Sequence, residues 1–410
     1  MNYKIIAVVL FHSTFSFPSC NVSESKISKS VSSEVIDDDT LSIIDSSIYQ
    51  VSVIEEVKDV EIDIYQTNLA DFISGKNKSY FDTIISVDEK FWNEFSDDIN
   101  EDFDKIKSRR LDKMTDWSSS SFIGSDTDTS LVFYPFSGPD FLHANVLYPN
   151  ANEYILFALE DVGKMPNWEE ISSGSTRRYL ENTNNFLRDI YLRSYFITKH
   201  MKLDIKKEEK ISGVLSSLYW FLSRTDHQIV NMRRVTINKN GEVELKLEEK
   251  GLDGVRFHFV KKGEKIVKKL TYFSCDISDD GFEEENPELL VFLNNMRDCN
   301  TFVKSASYLM HYKSFQKIRE VVLNKSLTIF QDDTGLPFKH VNNENWTVKC
   351  YGSYVKPIAD FDKNYEILYQ KDLEREYRKG SIKLPFSLGY HWRDASEQNQ
   401  MLMIRNTVSK

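Results

Sequence analysis

From residue 131 onward, short apolar runs alternate with stretches whose apolar residues have helical spacing. The apolar runs are predicted strands, at residues 131–134, 154–159, 229–235, 255–260, 270–273, 301–306 and 327–330. The intervening stretches are predicted helices, at residues 176–202, 211–224, 287–297 and 315–324. Strands that alternate with helices at this rhythm favour a mostly parallel sheet with helices on both faces.

Two segments depart from this rhythm. The Asn-Gly step in "INKNGEVELKL" predicts an antiparallel hairpin over residues 235–247 that continues to residue 259. Near the C-terminus, "WTVKCYGSYVKPIADF" and "LPFSLGYHW" read as aromatic strands that complete the same body. We therefore expect a Rossmann-like three-layer α/β fold with a hairpin addition and C-terminal aromatic strands. The aromatic residues that could line a cleft there, if they are not core, are Tyr351, Tyr354, Tyr390 and Trp392.

The N-terminus has the pattern of a secretory signal over residues 1–19. Lys4 precedes an apolar run at residues 5–11, and a weaker run ends before Cys20. The polar residues 12–14 interrupt the apolar stretch, which is too short to be a transmembrane span. "SFPSC" resembles a bacterial lipobox, which implies a diacylglycerol on Cys20 and a membrane anchor. The alternatives are a plainly secreted protein and a soluble protein whose N-terminal segment only resembles a leader.

The remaining chain divides by composition. Residues 20–40 are rich in serine and predict a disordered tether. Residues 41–125 form an acidic lead-in with one amphipathic helix, because its apolar residues from Phe91 to Leu111 recur at helical spacing. Residues 126–410 are predicted to be a single α/β domain with a C-terminal extension.

Charge and cysteine content limit the partners. The chain of 410 residues has a net charge of −11, which argues against a nucleic-acid partner. Beyond Cys20, the cysteines at positions 275, 299 and 350 allow at most one disulfide, and Cys275 with Cys299 is the candidate pair. None has the spacing of a structural zinc site.

Acidic loops follow four of the predicted strands: "SGPD", "LEDVG", "SCDISDDG" and "QDDTGLPF". Because the carboxyl ends of parallel strands lie at one edge of a sheet, these loops are expected to face one cleft. Carboxylates there suit metal binding, acid–base catalysis or recognition of hydroxyl groups. The alternative is that aspartate and glycine serve as ordinary turn and cap residues. Neither the cofactor nor the metal can be named from these residues.

The candidate residues have different expected roles. The catalytic candidates are Asp140, Asp332, Asp333 and His143. The ligand-binding candidates are Ser137, Gly138, Glu160, Asp276, Lys304 and His311, with Asp279 in the same cleft. Lys304 lies in a buried strand, so we expect it to pair with Asp332 or Asp276. A serine-hydrolase elbow, a dinucleotide fingerprint and a P-loop are all absent from the sequence.

Long blocks of the chain resemble an uncharacterised bacterial family of exported proteins and lipoproteins. The blocks are "VFYPFSGPDFLHANVLYPNANEYILFALEDVG", "SASYLMHYKSFQKIREVVLNKSLTIFQDDTGLPF", "YGSYVKPI" and "LPFSLGYHW". The resemblance implies a location in the cell envelope but no catalytic residue. The sequence thus predicts an envelope protein that binds a small polar ligand or glycan. A hydrolase or group transferase that uses the carboxylates, and a structural scaffold, are the alternatives.

Overall fold

The computed structural model describes residues 60–120, 131–196, 212–248, 250–342, 344–354, 356–358, 361, 368–393 and 398–406. All of them belong to a compact unit that spans Ile54–Lys410. The predicted signal peptide, Cys20 and the predicted tether lie outside the described residues. So does the proposed boundary between residues 125 and 126.

Within the described ranges, ten strands form one mixed sheet. Their order across the sheet is β4-β3-β5-β6-β2-β1-β7-β8-β10-β9. The strands are β1 (Leu131–Tyr134), β2 (Glu153–Ala158), β3 (His227–Ile237), β4 (Val243–Leu245), β5 (Asp253–Lys261), β6 (Val267–Ser274), β7 (Cys299–Val303), β8 (Ser326–Asp332), β9 (Trp346–Gly352) and β10 (Asn399–Arg405).

The fold is α/β, but the prediction that its sheet is mostly parallel is wrong. The five neighbours β6, β2, β1, β7 and β8 are joined by four parallel pairings. The other five pairings are antiparallel. The excess of antiparallel pairings arises because the hairpin strands β3, β4 and β5 extend one edge of the sheet, while β10 runs antiparallel between β8 and β9 at the other edge.

The predicted strands are all present, with small shifts at their ends. Strand β7 ends at Val303, three residues earlier than predicted, and Ser305 has a positive φ of 51°, which extended backbone does not adopt. The Asn-Gly hairpin is confirmed, with Gly241 at φ 75° and its N–H bonded to the Asn238 carbonyl. "LPFSLGYHW" is not a regular strand, because it contains a 3-10 turn at Gly389–His391.

The helices are α1 (Ile64–Ile73), α2 (Glu89–Ile106), α3 (Asp112–Ser120), α4 (Phe141–Leu147), α5 (Ser173–Arg193), α6 (Leu215–Arg224), α7 (Pro287–Asn295), α8 (Gln316–Lys325) and α9 (Lys371–Lys379). The predicted amphipathic helix is α2, which begins at the capping carboxylate of Asp88. A π-helical segment, Lys107–Leu111, joins α2 to α3. None of the helices in the described ranges is both long and apolar enough to span a membrane.

Two hydrophobic clusters contact the central strands. Alternate residues of β1 belong to different clusters, because neighbouring side chains of a strand point to opposite faces. Val132 packs in the cluster that contains residues of α1 to α6, whereas Phe133 packs in the cluster that contains residues of α7 and α8. The acidic lead-in helix α2 therefore shares a core with the sheet.

The candidate disulfide between Cys275 and Cys299 is wrong, since both are buried free thiols. Cys275 follows the last residue of β6, whereas Cys299 is the first residue of β7. These two strands run in the same direction and are separated by β2 and β1. The cysteines thus lie at opposite ends of the sheet, too far apart for an S–S bond.

Phe330 in β8 offers a test of this core. Its buried ring stacks on Phe302 and contacts Trp117 of α3. We expect Phe330→Ala to lower the free energy of unfolding by about 3–5 kcal/mol, because it removes apolar contacts and leaves a cavity. Leu247→Ala, at a side chain that is 89% exposed, is the matched control and should change little. Urea denaturation measures both, and equal effects would contradict the assigned packing.

Candidate functional site

The loops that follow β1, β7 and β8 lie side by side, because β7 is the neighbour of both β1 and β8 in the sheet. We call the polar residues of these loops, together with the residues that contact them, the strand-end site. It contains seven of the residues discussed below: Asp140, His143, Lys304, Ser305, Tyr308, Asp332 and Asp333.

A buried ion pair connects the first two loops. The Lys304 ammonium lies 2.7 Å from the Asp140 carboxylate, and the two side chains are 1% and 0% exposed. Lys304 also donates a hydrogen bond to the Ser194 carbonyl just beyond α5. The predicted partners of Lys304, Asp332 and Asp276, are wrong. The carboxylate of Asp332 is occupied by backbone and hydroxyl donors instead.

Asp140 also begins helix α4. Its Oδ1 accepts a hydrogen bond from the His143 backbone N–H, as expected of an N-cap residue. Burial alone would raise the pKa of its carboxyl. The interactions with His143 and Lys304 outweigh that effect, so the pKa lies well below its usual range. Burial lowers the pKa of Lys304, and Asp140 opposes that shift. The carboxylate and the ammonium therefore stabilise each other's charge in the interior.

His143 forms a side-chain pair with the same carboxylate. Its Nδ1 lies 2.9 Å from Asp140 Oδ1, so Nδ1 carries the proton and Nε2 is left as an acceptor. Burial lowers the pKa of His143 to about 4, which makes the imidazole neutral at pH 7. Within the described part of the chain, Nε2 has no hydrogen-bond partner. An oriented neutral imidazole of this kind can accept a proton or a hydrogen bond.

The sequence analysis missed two arginines that contact the last turn of α5. Arg109 donates to the Tyr191 carbonyl at 2.6 Å, and Arg110 donates to the Ile190 carbonyl at 3.2 Å. These carbonyls lie in the last turn of α5, where backbone acceptors lack helical partners and cations are favoured. Burial lowers the pKa of Arg110 to about 9. The adjacent arginines in "KSRRL" are the only sequence signal, and it does not indicate which helix end they contact.

Two neighbouring carboxyls end β8. Asp332 accepts hydrogen bonds from the backbone N–H groups of Ser305 at 2.8 Å and Thr334 at 3.0 Å. Asp333 accepts a hydrogen bond from the Tyr308 hydroxyl at 2.6 Å, and its other oxygen lies 4.0 Å from His391 Nε2. Both carboxyls are buried; Asp332 accepts from two backbone N–H groups, and the Tyr308 hydroxyl donates to Asp333.

Burial raises the pKa of both carboxyls. Burial and the charge of Asp332 raise the pKa of the Asp333 carboxyl to about 7. Burial raises the pKa of Asp332 as well, against the hydrogen bonds that it accepts. Two adjacent buried carboxyls do not ionise independently, so the pair retains one proton close to neutral pH. Asp333 can then act as an acid or as a hydrogen-bond donor.

Unusual backbone conformations are concentrated here. Six non-glycine residues among the described ones have positive φ, and five of them lie in or contact the strand-end loops. Such conformations cost energy and persist where the surroundings enforce them, commonly at functional sites. Gly389, with φ 75°, is also required, because a Cβ there would lie 2.6 Å from Asp332 Oδ2. The five residues are Phe136, Ser194, Ser305, Ser307 and Tyr308.

Several buried polar atoms of this edge make no hydrogen bond to the described chain. They comprise three side-chain acceptors, one hydroxyl and a second imidazole nitrogen. Buried polar atoms are rarely left in this state, so each one requires an explanation such as a ligand or a water molecule. The atoms are His143 Nε2, Asp333 Oδ1, Gln400 Oε1, Ser305 Oγ and His311 Nε2.

The loops after β1 and β2 contain three other predicted residues. The Ser137 hydroxyl lies within hydrogen-bonding distance of the Gly138 and Phe157 carbonyls, so it holds the turn after β1. Gly138 adopts φ 56° in that turn. Glu160 is buried beyond β2, and its backbone carbonyl accepts the Tyr272 hydroxyl. Ser137 and Gly138 thus shape the backbone that leads to Asp140.

The loop after β6 stands apart from the strand-end site. Asp276 accepts a hydrogen bond from the Ser278 N–H, which is a turn contact. Asp279 accepts from the N–H groups of Gln316 and Lys317, at the start of α8. Strand β2 separates β6 from β1, and these carboxylates are used locally. His311, by contrast, packs its ring against Tyr308 at the site.

The predicted aromatic wall is present only in part. The Tyr390 hydroxyl lies 2.7 Å from Ser307 Oγ, and its ring packs against Tyr195 beside the strand-end loops. Tyr351 and Tyr354 are buried in hydrophobic clusters. Trp392 is partly exposed.

Comparisons with protein-family models, with curated proteins and with solved structures gave no match. The resemblance to a family of exported proteins therefore stays a prediction. Among the residues that the structure describes, no group of three or more histidine, cysteine, aspartate or glutamate side chains could hold a metal ion.

Removal of Lys304 tests the buried ion pair. Lys304→Met should lower the free energy of unfolding by about 3–5 kcal/mol, because Asp140 would keep a buried charge without its partner. Adding Asp140→Asn should recover part of the loss, since the amide oxygen can still cap α4. Lys113→Met, at an exposed lysine, is the control. Denaturation at pH 7 measures all four proteins, and a loss as small as that of the control would contradict the pair.

The Asp333 pKa predicts a pH dependence. The folded protein holds this proton up to about pH 7, whereas the unfolded chain releases it near 3.8. The Asp333 contribution to the free energy of unfolding should therefore fall as pH rises through this range. Asp333→Asn should remove that fall, so the variant gains stability relative to the wild type as pH rises.

Urea denaturation from pH 4 to 8 gives the difference in the free energy of unfolding between the wild type and Asp333→Asn. The opposite contribution of His143 cancels in that difference. Asp116→Asn, at an exposed aspartate, should show a flat difference. A flat difference for Asp333→Asn as well would show that this carboxyl ionises normally.

Proposed function

We propose that the protein is an exported, lipid-anchored protein of the bacterial envelope that binds a small polar ligand at the strand-end site. The signal-like N-terminus and the lipobox-like "SFPSC" support the location and the anchor at Cys20. The binding activity is supported by the arrangement of side chains at the ends of β1, β7 and β8.

We further propose that the central strands form a Rossmann-like, three-layer arrangement. The parallel strands β1, β2, β6, β7 and β8 are numbers one to five in chain order, and across the sheet they lie in the order 3-2-1-4-5. That order reverses between β1 and β7, and ligands of doubly wound folds bind at the carboxyl ends of the strands at such a point. Asp140 and Lys304 lie in the two loops that flank it.

The observation that carries the binding proposal is the set of unpartnered polar atoms within this strained edge. Three of them are acceptors: His143 Nε2, Asp333 Oδ1 when ionised, and Gln400 Oε1. The Ser305 hydroxyl can both donate and accept. A ligand that satisfies them needs several O–H or N–H donors, so a hydroxyl-rich molecule such as a sugar or a small polyol fits best. An ordinary capping role explains Asp140 and Asp332 but leaves these atoms unexplained.

An enzyme is the second candidate, and the Asp332–Asp333 pair favours it. A carboxyl with a pKa of about 7 can donate a proton to a leaving group or accept one from an attacking hydroxyl. The neutral His143 imidazole, oriented by Asp140, is a second proton acceptor at the same edge. Hydrolysis or group transfer on the bound polar molecule is the reaction class that these groups suit.

Native mass spectrometry tests the binding proposal. The full chain, expressed in a bacterium and extracted gently from its membranes, should begin at Cys20 with a covalent diacylglycerol and should carry a noncovalent small molecule. The variant with Asp332→Asn and Asp333→Asn should lose that molecule but keep the lipid. Asp116→Asn, in the exposed part of α3, should retain both.

The readouts separate the two claims. A folded wild-type protein without bound small molecules, or a bound molecule retained by the double variant, would contradict binding at this site. An uncleaved leader or an unmodified Cys20 would contradict the anchor and leave the binding result intact. Conversion of the bound mass during incubation would favour the enzyme over the binding protein.

A further inference from the structure

We propose that a groove between α2 and α5 is a second binding site, for a small organic anion. The groove is a cavity of about 360 Å³, which is within the usual size range of small-molecule pockets. It shares no lining residue with the strand-end site, and nothing in the proposed function requires it.

The charges around the groove favour an anion. Arg109 and Arg188 both line it, and neither forms an ion pair with the described residues. Lys105 and Asp102 also line it, and the carboxylates of Glu101 at 2.7 Å and Asp102 at 3.3 Å offset the charge of Lys105. Two guanidinium groups therefore face the groove on a chain whose net charge is −11. Guanidinium forks bind carboxylate and phosphate groups through paired hydrogen bonds.

Arg109 is held in place before any ligand arrives. Its guanidinium donates to the Tyr191 carbonyl at 2.6 Å, in the last turn of α5. The residue belongs to the π-helical segment Lys107–Leu111, which interrupts the regular helix beside the groove. Such segments are uncommon and are often found at functional sites.

Tyr191 supplies an independent indication. This residue lines the groove and is 7% exposed, and its hydroxyl has no hydrogen-bond partner within the described residues. Burial raises the pKa of this phenol, so the group remains a hydrogen-bond donor. A buried donor without an acceptor is unfavourable, and an anionic oxygen would satisfy it.

The remaining lining combines the amide side chains of Asn184 and Asn185 with an apolar surface. Leu192 lines the groove and is 42% exposed, and the buried Ile106 lies beside it. An anion with a short hydrocarbon portion would cover this surface and gain affinity from it. The ligand class is therefore a small carboxylate or phosphate compound with a short apolar part, rather than a bare inorganic ion.

Calorimetric titration of the full chain with acetate, butyrate and inorganic phosphate tests this site. Butyrate should bind saturably, up to about tenfold more tightly than acetate, because of its two further methylene groups. Arg188→Gln and Tyr191→Phe should each weaken binding about tenfold. Arg178→Gln, which removes an exposed arginine from the same helix but away from the groove, should change affinity less than twofold in this comparison.

The outcomes discriminate among the sources of binding. A higher affinity for phosphate than for butyrate would indicate that the anionic group of the ligand is a phosphate. A higher affinity for butyrate would indicate a carboxylate. Absence of saturable binding at about 10 mM, or equal losses in Arg178→Gln and Arg188→Gln, would overturn the site. Asp333→Asn should leave the affinity of the groove for anions unchanged. A loss of that affinity in this variant would show that the groove is not independent of the strand-end site.

Discussion

The buried ion pair between Lys304 and Asp140 joins three parts of the molecule. Asp140 begins α4 after the first strand, and Lys304 follows β7. Lys304 also donates a hydrogen bond to the Ser194 carbonyl, just beyond α5. Removing two charges from water costs several kcal/mol for each ion, so the pair persists only where hydrogen bonds compensate. The His143 N–H and imidazole groups supply them to Asp140, and the end of α5 supplies an acceptor to Lys304. These contacts fix the relative positions of the loops that form the strand-end site.

At this edge of the sheet, the pKa values of two carboxyls are shifted in opposite directions. Asp140 remains ionised because a cation and a neutral imidazole adjoin it. Asp333 holds its proton to about pH 7, because it is buried beside a second carboxyl and no lysine or arginine among the described residues forms an ion pair with it. Groups whose pKa values are shifted in opposite directions within one site are typical of acid–base or hydrogen-bonding functions. The strained backbone from Ser305 to Tyr308 lies between these two environments.

Much of the fold could be predicted from the sequence because apolar runs and turn residues act locally. The seven strands and the Asn-Gly hairpin follow from such patterns. The excess of antiparallel pairings could not be predicted, since it depends on β10, whose "NQMLMIR" lies beyond two aromatic segments and pairs with β8 from far along the chain. The acidic loops were located correctly at strand ends, but the partner of Lys304 depends on strand order. Arg110 was missed because its carbonyl partners belong to helix α5 and to residue 387.

A crystal structure of the protein purified gently from bacterial membranes tests the central claim most directly. The account predicts non-protein density for an ordered polar molecule about 3 Å from Ser305 Oγ and Asp333 Oδ1, with the Lys304–Asp140 pair intact beneath it. If the protein's own residues, or scattered water molecules alone, satisfied these two atoms, the edge would be a structural closure rather than a binding site.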